Sequence, residues 1–185
     1  MATDAREFAV IPPNLALAWA VPLLSEVAAA GALWWATQRN PHITGLTVWF
    51  PIGPLAVLAA SAALVAVVIH RRSVTLRNGT LKISASLNTQ TIAVDQLDLE
   101  HARTVDLDMH ADLRPWMKSM GTALPGLKAG HFRLRDGRKA FVLVTERHRV
   151  LVLPRRDGKL ILLSLEKPQA LLSALNELAA PASRR

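Results

Sequence analysis

Three dipeptides do most to limit what this chain can fold into. Asn78-Gly79, Asp136-Gly137 and Asp157-Gly158 each interrupt runs of apolar or alternating residues, and such pairs readily adopt the positive φ that a tight hairpin turn needs. A chain punctuated in this way folds back on itself as antiparallel strands. The arms around the first pair agree, because Val74-Thr75-Leu76-Arg77 and Thr80-Leu81-Lys82-Ile83 alternate apolar and polar residues, burying one face of a sheet and wetting the other. Further strands are expected at residues 89–94, 131–134, 140–145, 150–153 and 160–165. Residues 97–109 continue the alternation, with Leu97, Leu99, Val105, Leu107 and Met109 set against Asp98, Glu100, Asp106, Asp108 and His110. Between Pro115 and Gly130 the spacing of Gly121, Pro125-Gly126 and Gly130 predicts a connection joining two halves of the sheet. Pro168 then opens a helix in which Leu171, Leu172, Leu175 and Leu178 fall on one apolar stripe suited to covering an opening of the sheet.

Upstream of His70 the composition changes. Residues 15–36 hold one ionisable side chain, Glu26, and residues 48–69 run almost without polar interruption after Pro51 and Pro54. Each stretch has the length needed to cross about 30 Å of hydrocarbon at about 1.5 Å per residue. Trp34, Trp35 and Trp49 stand where indoles favour an interface. The expected arrangement is a transmembrane hairpin over residues 15–70, preceded by an amino-terminal segment, 1–14. Residues 71–180 form the following domain and 181–185 a tail. Arg71, Arg72 and Arg77 follow the second span while the loop between the spans has only Arg39, which predicts a multi-pass protein of a bacterial inner membrane with its carboxyl-terminal domain in the cytoplasm. A competing reading takes 15–30 as a cleaved signal peptide, against which the weak amino-terminal charge argues. Within the spans, Glu26 with Ser25 and, on the second helix, Ser61 are the polar candidates for holding helices together or for a charge-dependent role.

The strand order, closed by one helix, resembles the bacterial pleckstrin-homology (PH) domain families through Trp116, Gly121, Pro125-Gly126, Gly130-His131-Phe132, residues 140–145, Asp157-Gly158 and the approach from Leu163-Ser164 to Pro168. The resemblance covers about residues 73–179. It implies an α+β, mainly antiparallel barrel of about seven strands capped by a carboxyl-terminal α-helix. It also implies a noncatalytic binding or scaffolding role, with a protein partner or anionic lipid headgroups as the ligand.

Residues 71–185 carry 20 Lys and Arg against 11 Asp and Glu, a balance of +9, which suits anionic partners. The candidate contact residues are Arg71, Arg72, Arg77 and Lys82 around the first hairpin and Arg155, Arg156 and Lys159 around the last; Arg133, Arg135, Arg138 and Lys139 surround another turn. Resemblance to lipid-binding PH domains points first to Arg77 and Lys82. The expected partners are membrane lipids and a membrane protein or a second copy of the chain. Aromatic residues do not interleave with these cations as nucleic-acid stacking requires, so a nucleic-acid partner is not expected. The alternative is a metal-dependent protein or enzyme, because Asp106, Asp108, His110 and Asp112 would share one face of a strand. His131 and His148 lie too far off in sequence to add to that set. Ser119, Thr145 and Ser164 have no nucleophile signature and the glycines no phosphate-cradling spacing, so neither catalysis nor a cofactor is expected.

Overall fold

The computed structural model describes residues 5–13, 15–39, 52–85 and 88–179. Its contacts divide into two compact units, one of residues 15–68 and one of residues 1–14 with 69–185. The first holds α1 (Leu15–Arg39) and most of α2 (Ile52–His70). Among the described residues no helix is long and apolar enough to cross a membrane. The transmembrane hairpin and the multi-pass inner-membrane location expected above are therefore overturned. The described helices also differ in extent and make-up from the expected spans. The second is described over 19 residues from Ile52, about 28 Å at 1.5 Å per residue, and the expected residues 48–51 lie outside the described ones. The first gains length only by taking in Thr37, Gln38 and Arg39, and carries Ser25 and Glu26 in its middle. Ser61 donates its hydroxyl to the Leu58 carbonyl at 2.9 Å, a bond within its own helix. The expected loop from 37 to 47 lies largely outside the described residues, as does the tail.

In the second unit the chain forms two sheets. The first has the order β1-β2-β3-β4, built from β1 (Arg6–Phe8), β2 (Arg72–Arg77), β3 (Thr80–Ala85) and β4 (Asn88–Ala93), all antiparallel. The second has the order β5-β9-β10-β8-β7-β6, from β5 (Arg103–Val105), β6 (Pro115–Leu124), β7 (Leu127–Leu134), β8 (Lys139–Val144), β9 (Val150–Pro154) and β10 (Leu160–Ser164). A single antiparallel barrel of about seven strands is thus replaced, among the described residues, by ten strands in two sheets. One pair, β8 with β10, is parallel. Three misread segments explain the change. Residues 6–8 add an edge strand to β2, and Arg6 ties it to Glu177 of α3 (Pro168–Ala179) at 2.8 Å. The presumed connection after Pro115 is the ten-residue β6, which turns at Pro125-Gly126 into β7. The alternating stretch 97–109 is strand only over Arg103–Val105.

The sheets are joined where their chains pass between them. Ile11 donates to the Ser164 carbonyl and Glu166 to that of Ala9. Asp98 donates to the Pro154 carbonyl and Arg156 to that of Gln96. Strands β8 and β10 have almost no exposed residue, as expected of strands covered on both faces. Pro168, Leu171, Ala174 and Leu175 are the buried face of α3.

Candidate functional site

The cations singled out above are divided between the two sheets. Val74 and Leu76 point into the core of β2, so alternation puts half-buried Arg72 on the inner side and Arg77 on the outer. Burial holds the Arg72 guanidinium below its ordinary pKa. Lys82 pairs in register with Thr75 and Arg77 with Thr80, which sets Arg77 and Lys82 diagonally on one outward face. Arg71 is exposed just before β2. Arg155, Arg156 and Lys159 belong to the turn between β9 and β10, where Arg156 and Lys159 are exposed while the Arg155 side chain is only 14% exposed.

Arg155 lines a cavity of about 420 Å³ together with Gln90 of β4, residues of β6, β7 and β8, and Lys159 and Leu160. Phe132, Ala140, Phe141 and Leu160 supply an apolar floor, and the His131 ring meets Phe141 edge-on at 5.0 Å. Lys139, Arg155 and Lys159 bring cations to it. Arg155 Nη2 lies 3.2 Å from the Asp157 carboxylate and Lys159 Nζ 3.0 Å from it. Two buried polar atoms in the lining, Arg155 Nε and Gln90 Oε1, have no hydrogen-bond partner among the described residues. Leaving one such group unsatisfied costs roughly 1–3 kcal/mol. Residue types alone did not mark Gln90, but period two did offer a signal: Gln90 shares its side of β4 with buried Ile92.

The acidic set around His110 does not form as expected. Asp106 stands before a turn over residues 107–109, and Asp112 lies in the short 3-10 turn Ala111–Leu113, so the four residues share no strand face. The Asp106 carboxylate accepts from the Asp108 amide at 2.7 Å, and that local bond bends the chain. His110 turns back to the Asp106 carbonyl. It is His148, set aside in the sequence reading, that joins the cluster: one ligand atom each of Asp106, Asp108 and His148 lie within 4.8 Å of one another. His148 Nδ1 is 2.6 Å from Asp106, while Asp108 receives Arg114 at 2.7 Å and Arg147 at 3.3 Å. Its carboxylates are thus engaged by protein cations, and the arrangement acts as a clasp between two loops. The hydrogen bond to Asp106 raises the pKa of His148, and the same bond lowers that of Asp106.

A third feature is the outer edge of β6. This strand ends the six-stranded sheet, and Trp116, Met117 and Met120 along it are 67%, 56% and 64% exposed. The Arg135 guanidinium lies 5.3 Å from the Trp116 ring centroid, close enough to steady the indole.

A family model described as the bacterial PH domain matches residues 72–179. The chain belongs to the bacterial PH domain family. No curated protein and no solved structure matches it. Membership of this family is consistent with a binding or scaffolding role. In this PH domain the matched region takes in the cavity, the clasp and the β6 edge alike.

Proposed function

We propose that this PH domain is a noncatalytic binding or scaffolding module that holds an extended segment of a protein partner along β6. The observation that supports the reading is the place of β6 at the end of its sheet, with two large thioethers and an indole displayed along its exposed stretch from Trp116 to Met120. An edge strand offers N–H and C=O groups to an added strand, and side chains that alternate along that strand find apolar contacts. Lys118 and the register shifts between Pro115 and Met117 and between Lys118 and Met120 limit indiscriminate pairing. A photo-crosslinking residue at Met117 in cells should trap a protein partner, and one at Thr91, exposed on β4, should not. Trp116→Lys with Met120→Lys should abolish the adduct without lowering the melting temperature. Equal trapping at both positions, or a partner retained by the double variant, would count against β6.

A second reading, contact with anionic lipid headgroups, is favoured by one observation: Arg77 and Lys82 stand diagonally on one outward face. Salt-sensitive cosedimentation with phosphatidylglycerol vesicles, lost in Arg77→Gln with Lys82→Gln, tests it. Sedimentation unchanged by the substitutions would remove that reading.

A further inference from the structure

We propose that the cavity beside Arg155 is a binding site for a small anionic amphiphile, with the headgroup at Arg155 and a hydrocarbon tail on Phe132 and Leu160. The proposal does not rest on a protein held along β6, although Ser119 and Met120 of that strand also line the cavity. Three observations carry it together. The cavity is about 420 Å³, within the ~300–1,000 Å³ range of small-molecule sites, and it has their usual make-up of apolar walls with a few convergent polar groups. Its charge is unbalanced, since the lining holds Lys139, Arg155 and Lys159 and, among the described residues, no carboxylate, while Asp157 pairs with Arg155 and Lys159 beside it. Two of its buried polar atoms, Arg155 Nε and Gln90 Oε1, lack partners among the described residues.

Arg155 is also held in place before any ligand arrives. Its amide donates to the Lys159 carbonyl at 2.8 Å and its carbonyl accepts from Gly158 at 3.0 Å. Leu97 bridges to it from the other side. These bonds fix the backbone, and Asp157 holds Nη2 at 3.2 Å; a guanidinium so placed with an unmet N–H is a preorganised acceptor-seeking group, and a carboxylate oxygen is the strongest simple acceptor for it. Gln90 fits the same headgroup, because a half-turn of its amide replaces the oxygen by an N–H₂ donor without changing its shape. The two donors then come from different sheets and converge on one anion. The apolar floor selects against small inorganic anions, since these leave it uncovered, and in favour of a hydrocarbon-bearing one.

The test uses the full chain and dodecanoate below its micelle-forming concentration, followed by calorimetric titration. One molecule should bind per chain, and acetate and dodecyltrimethylammonium, which lack the tail and the negative charge respectively, should bind at least about ten-fold more weakly. Arg155→Met should weaken dodecanoate about ten-fold or more, the size expected for loss of a charge-assisted hydrogen bond. Should Arg155→Met fail to fold, Gln90→Leu and Lys159→Gln carry the test, each expected to lower the affinity while the circular dichroism stays unchanged. Phosphatidylglycerol vesicles separate the sources of the ligand: displacement of bound dodecanoate by vesicles assigns the same site to bilayer lipid, and binding of dodecanoate without displacement assigns it to the free amphiphile. Equal binding of the cationic amphiphile, binding of many molecules per chain, or full affinity in all three variants would overturn the proposal.

Discussion

Two hairpins of the six-stranded sheet, β6-β7 and β9-β10, hold their register by different means. Strands β9 and β10 lie inside the sheet, with every residue buried but Pro154. Their turn is tied by Arg155 and Gly158 amides and by the Asp157 carboxylate accepting from the Lys159 amide at 3.1 Å. Strand β6 is exposed from Trp116 to Met120 and shifts register against β7 twice. What fixes that hairpin is a close approach of backbones, because Gly121 and Gly130 stand opposite one another at φ +137° and +121°. A Cβ on Gly130 would strike the Met120 carbonyl oxygen and come 2.7 Å from Gly121 Cα. Where both faces are covered, packing selects the register; at the edge, the absence of side chains does so.

The comparison breaks if interior packing is not the stronger device. Leu162 is fully buried on β10, paired with Val142 and Val152, so Leu162→Ala should lose roughly 2–5 kcal/mol by urea denaturation; a loss below about 1 kcal/mol would show that the site collapses freely. Gly130→Ala is expected to cost about 3 kcal/mol, since it adds a steric clash to an unfavourable φ. Gly158→Ala sharpens the contrast. It too sits at positive φ, +80°, but a Cβ there meets open space, so only the backbone term of about 1 kcal/mol remains. Equal costs at Gly130 and Gly158 would mean that the glycine pair serves conformation alone.

The same contrast explains what could be read in advance. The turns at Asn78-Gly79, Asp136-Gly137 and Asp157-Gly158 are visible because a local φ requirement picks their residues, and Asn78, Gly79, Gly137 and Gly158 do take φ of +50°, +68°, +88° and +80°. The helix from Pro168 is visible because one stripe is buried. Strand β6 was hidden because its exposed residues show no alternation and its glycines resemble those of a loop. The parallel pairing of β8 with β10 was hidden for another reason: period two reports which face a residue occupies, never the direction of its neighbour. Apolar length likewise misjudged α1, because a count of apolar residues passes over Glu26 in the middle of the helix and stops short of Thr37, Gln38 and Arg39, which the helix takes in. At the cavity, Arg155 was a candidate by charge, yet Gln90 reaches it from the other sheet, and that meeting depends on how the two sheets join around Asp98 and Arg156.

The smallest effect expected belongs to the clasp, which joins loops outside both hairpins and therefore measures what exposed charge adds to a register already set. His148 is hydrogen-bonded by Asp106, with Asp108 and Glu146 nearby, and its pKa is raised above the ordinary 6.5. Its contribution is complete below pH 6.5 and is lost as pH rises through the raised value. Asp106 is lowered from its ordinary 3.8, first by His148 and then by the Asp108 amide, so its contribution is complete above that value and is lost as pH falls through the depressed one. Between these limits both partners are charged in the folded chain. The His148 side chain is 60% exposed and that of Asp106 35%, and water screens the pair. The melting temperature should therefore pass through a shallow maximum in mildly acidic buffer and decline toward pH 8.5, and salt should flatten it. His148→Asn should remove most of that decline above pH 6.5 while leaving the urea dependence of Leu162→Ala unchanged. If the decline survives in His148→Asn, another group titrates there and the clasp contributes nothing to the fold's pH response.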